Sequence, residues 1–541
     1  MFQKILNLSL LLAAFACGST LTVVAQEGAT QDSETQVSEI EDIGTQEIAA
    51  LKAKANKGDP AAQVELGNLY RFGDGVEKDY AKALKNYRAA ADQEYGKGQA
   101  YLGLMYEYGY GVEQSYEDAV DWYRKAAEQS DASGQYYLGD MYEHGKGVPK
   151  RLSKAMDLYH KAAEQGLGDA QTTLGVRYHN GEIVEEDYIE AVKWYRAAAE
   201  QGEAQAQANL GDMYEMGKGV EADAAKAVEL YRKAADQGLA FGQTSLGLMY
   251  EHGLGVDQSA EEAAILYRSA ADQDDSTGQS YLATMYRYGL GVDQDSVLAA
   301  EFYRKSAEQG SAVAQSNLGE MYEFGEGVEQ DATEAVKWYR AAAIQGQDKG
   351  RTFLANMYRR GVGVEQDYDA ALKLLQKSVV RDYPIAQVEL GIMYEYGQGV
   401  KKNAKKAAEL YRKAADAGNV DAQVYLGEMY ETGEGVRKNY KEAVRLYRLA
   451  AEQGGANGQT SLGLMYENGN GVRRNNDKAA ELYRKAAEQG DVWGQVYLAD
   501  MYEYGKGVKL DLEQAKVWYQ KAADQGNEEG IGGLERVTGA E

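Results

Sequence analysis

The chain has 541 residues, with 85 acidic against 58 basic side chains and a formal net charge of −27. So acidic a chain lacks the basic surface that nucleic-acid binding requires, and its single Cys, Cys17, excludes disulfide scaffolds and Cys-based zinc sites. The skew of 62 Gly against 3 Pro, and of 43 Tyr against 7 Phe, means that a few residue types recur at fixed positions, the mark of an internal repeat.

Residues 1–25 read as an export signal. Lys4 supplies the positive n-region, Ile5 to Ala16 is an apolar stretch too short to span a bilayer, and Val23-Val24-Ala25 suits cleavage before Gln26. Lipidation at Cys17, preceded by Ala14-Phe15-Ala16, is the alternative. Either reading makes the chain exported, periplasmic or secreted, with no later apolar run long enough to hold it in a membrane. Residues 26–45 carry Glu27, Asp32, Glu34, Glu39, Glu41 and Asp42 with no aromatic residue, and are expected to be a disordered acidic leader.

Residues 46–62 are expected to form an N-terminal capping helix. From Gln63 the chain repeats every 36 residues, at Gln99, Gln135 and onward to Gln495, with Arg351 in the ninth place. Thirteen units fill 63–530, and 531–541 forms a C-terminal capping helix and tail. In the unit from Gln99, Leu102, Met105 and Tyr106 fall at helical spacing and Gly109-Tyr110-Gly111 ends the helix. Tyr116 to Gln129 resumes the pattern, with Ala119, Tyr123 and Ala126 on one stripe. The small Gly103 and Ala119 predict a close helix crossing. Neither helix can bury its apolar face alone, so the units must stack into an all-α solenoid of helix-turn-helix repeats with half-repeat caps.

Leu102-Gly103, Tyr106, Gly109-x-Gly111-Val112 and Trp122-Tyr123-Arg124-Lys125-Ala126-Ala127-Glu128-Gln129 resemble the Sel-one-like repeat (SLR), a relative of the tetratricopeptide repeat. The resemblance covers 46–541 and implies a right-handed α/α superhelical solenoid used as an adaptor or binding scaffold. Exported bacterial members of that family include envelope regulators, polysaccharide-export scaffolds and host-binding factors. This chain departs from the members that lock each unit with a disulfide.

Signals for catalysis are weak. No Ser is followed by Lys three residues on, as a penicillin-recognising nucleophile needs. His144, His160, His179 and His252 form no His-Glu-x-x-His motif, and Gly145-Lys146-Gly147 lacks the Ser or Thr of a phosphate loop. No enzyme activity and no cofactor are expected; a cell-wall or β-lactam hydrolase is the alternative of another class.

Comparison of the units with one another separates building columns from partner-choosing ones. The column after the first Tyr is Glu in nine units, among them Glu107, Glu143, Glu215, Glu251 and Glu323. Resemblance to tetratricopeptide units places it near the concave groove. The next column varies and includes Tyr108, Tyr288 and Tyr396. A Glu row with interspersed Tyr predicts a groove for a basic or amphipathic peptide; the competing reading pairs Glu107 internally with the Arg124 column.

Charge also changes along the chain, from −22 over 99–350 to +3 over 351–494. Lys401, Lys402, Arg437, Lys438, Arg473 and Arg474 recur at 36-residue spacing and predict a cationic ladder on one edge. That ladder suits an acidic protein, a carboxylated glycan or an anionic head group, against a competing reading as ordinary solvated loops. The ninth unit departs from consensus at Leu374 to Asp382, and Val379 in a small-residue column predicts a bend near 374–386. Pro384 favours the start of the next helix. The expected function is that of an exported, non-enzymatic scaffold for protein partners, with an envelope glycan or lipoprotein-assembly role as the alternative.

Overall fold

The computed structural model describes residues 46–539. Among the described residues there are 28 α-helices and no strand, arranged as tandem antiparallel pairs repeating every 36 residues or so. The pairs fall into two bodies, one ending at Leu230 and the other beginning at Tyr231. Cys17 and the segments 1–25 and 26–45 lie outside the described residues.

The pair Gly96–Tyr108 and Tyr116–Glu128 shows why the sequence folds this way. Gly109, at φ 68°, stops the first helix in the left-handed region and donates its N–H to the Met105 carbonyl. Ser115 caps the second helix by accepting from the Asp118 N–H. Leu102, Met105, Ala119, Tyr123 and Ala126 are fully buried between the helices. The crossing is as close as Gly103 predicts: a Cβ there would lie 2.7 Å from the Tyr123 ring. All twelve Tyr in the Tyr123 column are fully buried, whereas Tyr106 and most of its column are only partly so.

The helix expected over 46–62 ends at 56, because Gly58 is left-handed at φ 90° and Asp59 caps a new helix, Pro60–Phe72. Each first helix thus starts three residues ahead of its repeat-marking Gln. That Gln is itself structural. Gln129 donates to the buried Gln99 side-chain oxygen at 2.9 Å, and Gln63 donates to the Ala55 carbonyl at 3.2 Å. The same amide pair recurs at Gln165 with Gln135 and, in the second body, at Gln453 with Gln423.

The ninth unit replaces this amide pair with charge. Asp348 faces Arg351 at 3.5 Å and Arg381 at 3.4 Å, and accepts from the Ser378 hydroxyl at 2.8 Å. The helix Tyr368–Val379 is one residue shorter than most of its counterparts, Asp382 is left-handed at φ 56°, and Pro384 opens the next helix, Pro384–Tyr396.

Candidate protein-binding face

The Glu column sits at the C-terminal ends of the first helices, and its partner is Tyr. The buried Tyr123 hydroxyl donates to Glu107 at 2.8 Å, and Tyr159 donates to Glu143 at 2.9 Å. In the second body Tyr267 donates to Glu251 at 2.6 Å, Tyr339 to Glu323 at 2.8 Å and Tyr411 to Glu395 at 2.7 Å. Among the described residues, Glu107 does not pair with Arg124. Arg124 itself pairs with Asp121, while Arg88, Arg196, Arg304 and Arg412 donate to the half-buried Tyr hydroxyl eighteen residues on. The 36-residue period defines columns but not which columns touch, and a 16-residue Tyr-to-Glu contact carries no local sequence signal.

Some of these carboxylates are then closed by cations from the following pair. Lys146 reaches Glu107 at 3.3 Å, Arg177 reaches Glu143 at 2.6 Å and Arg360 reaches Glu323 at 3.4 Å. Glu107 and Glu143 are therefore buried and occupied, and Glu215 is exposed on the helix Ala204–Met216. Where Arg287 takes the Glu position it is buried, bonded to Glu320 at 2.9 Å and Glu326 at 2.7 Å, and Tyr303 turns to Thr284 at 2.8 Å. Burial pushes the Tyr303 hydroxyl up to about 12.

The neighbouring aromatic column stays in solvent. Tyr108 stacks on Tyr110 with centroids 5.5 Å apart and remains 55% exposed. In the second body Tyr288, Phe324 and Tyr396 are exposed, Tyr396 at 67%. Tyr396 stands among Glu395, Glu428 and Glu434, whose charges, Glu395 first, hold its hydroxyl above the usual tyrosine value. Desolvation, followed by the charges of Glu395 and Glu431, pushes the Glu428 carboxyl up to about 7 although its side chain still reaches solvent. Glu428 carries no sequence signal, because its column reads Asn, Leu, Asp, Val, Thr, Glu or Ile elsewhere. This patch joins an exposed aromatic ring to crowded carboxylates, a surface suited to a cationic amphipathic side chain.

The six cations lie on three consecutive loops of the second body, ahead of the helices Ala404–Asp416, Tyr440–Glu452 and Asn476–Glu488. All six are exposed. The loops stack directly, since a Cβ on Gly435 would run into the Ala404 carbonyl and one on Gly471 into that of Tyr440. Lys402 pairs with Glu434 at 3.1 Å, and Lys438 lies 4.6 Å from the centre of the Tyr440 ring. Among the described residues, Lys401, Arg437, Arg473 and Arg474 form no ion pair.

Among the described residues no three His, Cys, Asp or Glu side chains converge as a metal site would require, and no helix is long and apolar enough to cross a membrane. Burial, with the Lys218 charge, holds His179 below the usual imidazole value.

The family model for the Sel1 repeat matches thirteen segments, 60–95, 96–131, 132–167, 168–203, 204–239, 240–275, 276–311, 312–347, 349–379, 384–419, 420–455, 456–491 and 494–527. No curated protein matches the chain. Among solved structures, c5321, described as a protective antigen present in uropathogenic Escherichia coli strains and displaying an SLR fold, is 36% identical, with 85% of this chain and 97% of that chain covered and a TM-score of 0.59. A Sel1 repeat protein from Oxalobacter formigenes is 30% identical, with 64% of this chain and 99% of that chain covered and a TM-score of 0.42. Thirteen matched repeats on thirteen helix pairs place the chain in the Sel1-repeat family.

Proposed function

We propose that this chain is an exported, non-catalytic scaffold that holds a partner protein on the face built from the C-terminal ends of its first helices, where Tyr288, Phe324 and Tyr396 supply apolar contact and the carboxylates around Tyr396 receive a Lys or Arg of the partner. Sel1-repeat proteins generally mediate protein–protein interaction. The observation that carries the finer reading is the exposure of these three large aromatic side chains, with Tyr396 beside the carboxylates of Glu395, Glu428 and Glu434. A helix end in solvent has no packing use for them, while buried aromatics dominate binding energy at protein interfaces. Replacing Tyr288, Phe324 and Tyr396 together by Ser is expected to weaken partner capture at least tenfold with the helical circular-dichroism signal intact. Undiminished capture overturns the assignment.

Export rests on Lys4, the apolar Ile5 to Ala16 stretch and Val23-Val24-Ala25. A mature chain beginning at Gln26 is the expected mass-spectrometric result; one beginning at a lipid-bearing Cys17 makes the protein a lipoprotein instead. The non-catalytic reading predicts no nitrocefin turnover and no covalent labelling by penicillin.

A further inference from the structure

Three neighbouring columns change chemistry together in three consecutive units. Loops 293–295, 329–331 and 365–367 read Asp293-Gln294-Asp295, Glu329-Gln330-Asp331 and Glu365-Gln366-Asp367, each with two negative charges. The next three loops read Lys401-Lys402-Asn403, Arg437-Lys438-Asn439 and Arg473-Arg474-Asn475, each with two positive charges. The third position is the N-cap. Asp295 and Asp331 cap their helices through carboxylates, and Asn403 and Asn475 do so through a neutral amide. Asn caps as well as Asp does, so the exchange removes negative charge without loss of the cap.

The middle position surrenders a structural bond. Gln294, Gln330 and Gln366 each donate to the main-chain carbonyl seven residues before, at 2.9, 2.8 and 2.9 Å. Lys402 instead points to Glu434 and Lys438 to Tyr440. Apart from the exposed Lys402–Glu434 pair and the Lys438 contact with Tyr440, which contribute little at the surface, a loss of internal bonding, a loss of cap charge and a gain of six exposed cations on directly stacked loops have no use in holding the repeat together. They make one continuous strip that attracts negative charge.

The chain carries a segment that matches this strip in charge. Residues 26–45 hold six carboxylates and no Lys or Arg, and lie outside the described residues. At roughly 3.3 Å per extended residue, Asp32 to Asp42 can reach over about 33 Å, more than three helix pairs spaced by roughly 10 Å occupy. We propose that the strip formed by Lys401, Lys402, Arg437, Lys438, Arg473 and Arg474 is the docking site for the acidic segment 26–45 of a second copy of this chain. Docking there is independent of the aromatic face assigned above.

Zero-length carbodiimide cross-linking of the full chain, with cross-linked peptides identified by mass spectrometry, tests this directly. The expected products join carboxylates between Glu27 and Asp42 to the amines of Lys401, Lys402 and Lys438. Their yield should fall at least fivefold in 1 M NaCl, where screening shortens the range of charge attraction to about 3 Å. In a mixture of light and heavy-isotope chains the links should join one light chain to one heavy chain; links confined to single chains overturn the proposal.

As a second arm, a fluorescent peptide of residues 26–45 should bind a chain whose six leader carboxylates are changed to Asn or Gln. Reversing the six strip cations to Glu in that chain should weaken binding at least tenfold, with an unchanged thermal melt. Lys402 also links to Glu434, which it already meets; strip amines joined mainly to other carboxylates within 60–530, or no leader links together with equal peptide binding by the two chains, overturn the proposal.

Discussion

The side-chain oxygen of Gln387 is buried and no donor reaches it. In other pairs a Gln thirty residues on supplies that donor, as Gln453 does for Gln423; here the position is Ala417. Ala417→Gln is therefore expected to stabilise the second body by about 1 kcal/mol, the usual net value of an added hydrogen bond, seen as slower exchange of the amides in Pro384–Tyr396 and Ala404–Asp416. Unchanged exchange contradicts the structural role of the Gln pairs. Glu428 supplies the pH-dependent counterpart. Its carboxyl titrates near 7, above its ordinary value of 4.5, so the folded state takes up a proton that the unfolded state would release, and the stability it contributes is lost as pH rises through 7. Glu428→Gln should melt higher than the parent at pH 8 and indistinguishably from it at pH 4. An equal difference at both values argues against the crowded-carboxylate account.

Helix pairs were legible because three signals recur along the chain: apolar residues at helical spacing, a Gly-x-Gly stop broken only at Ile183, and, ahead of each second helix, a capping Asp, Ser or Asn replaced only at Arg151. What the sequence concealed was contact between columns. Glu107 pairs with Tyr123, sixteen residues away, and the Arg column reaches the next pair's Tyr, because packing brings these together without any local pattern. The two loop glycines separate local strain from contact between pairs. Gly469 and Gly471 are left-handed at φ 74° and 69°. A Cβ on Gly469 would meet Arg474 of its own loop, the Cβ at 3.3 Å and the main-chain N at 3.6 Å, whereas one on Gly471 would strike the Tyr440 main chain. Gly469→Ala should cost about 1–2 kcal/mol from the left-handed backbone alone; Gly471→Ala should cost distinctly more and open the joint between stacked loops, read by hydrogen exchange at 440–444. Equal effects contradict direct loop stacking.

Over the whole molecule, a tandem array draws its stability from each pair and its immediate neighbours. Deleting one complete 36-residue unit, 456–491, should leave a soluble, cooperatively melting helical protein, while deleting the half-unit 456–473 exposes an apolar helix face and should yield aggregate. The charge reversal along the chain was legible as a sequence pattern; the stacking of its loops and the loss of the Gln bonds needed coordinates. The partner's identity was not, because the exposed aromatics state the chemistry they accept and not the molecule that brings it. The most direct test of the scaffold function is quantitative capture from envelope extract by three chains: the parent, the Tyr288→Ser, Phe324→Ser, Tyr396→Ser variant, and the variant with Glu at all six strip cations. A protein held by the parent and the strip variant but lost at least tenfold from the aromatic variant is the predicted result; a protein held equally by all three contradicts the assigned face.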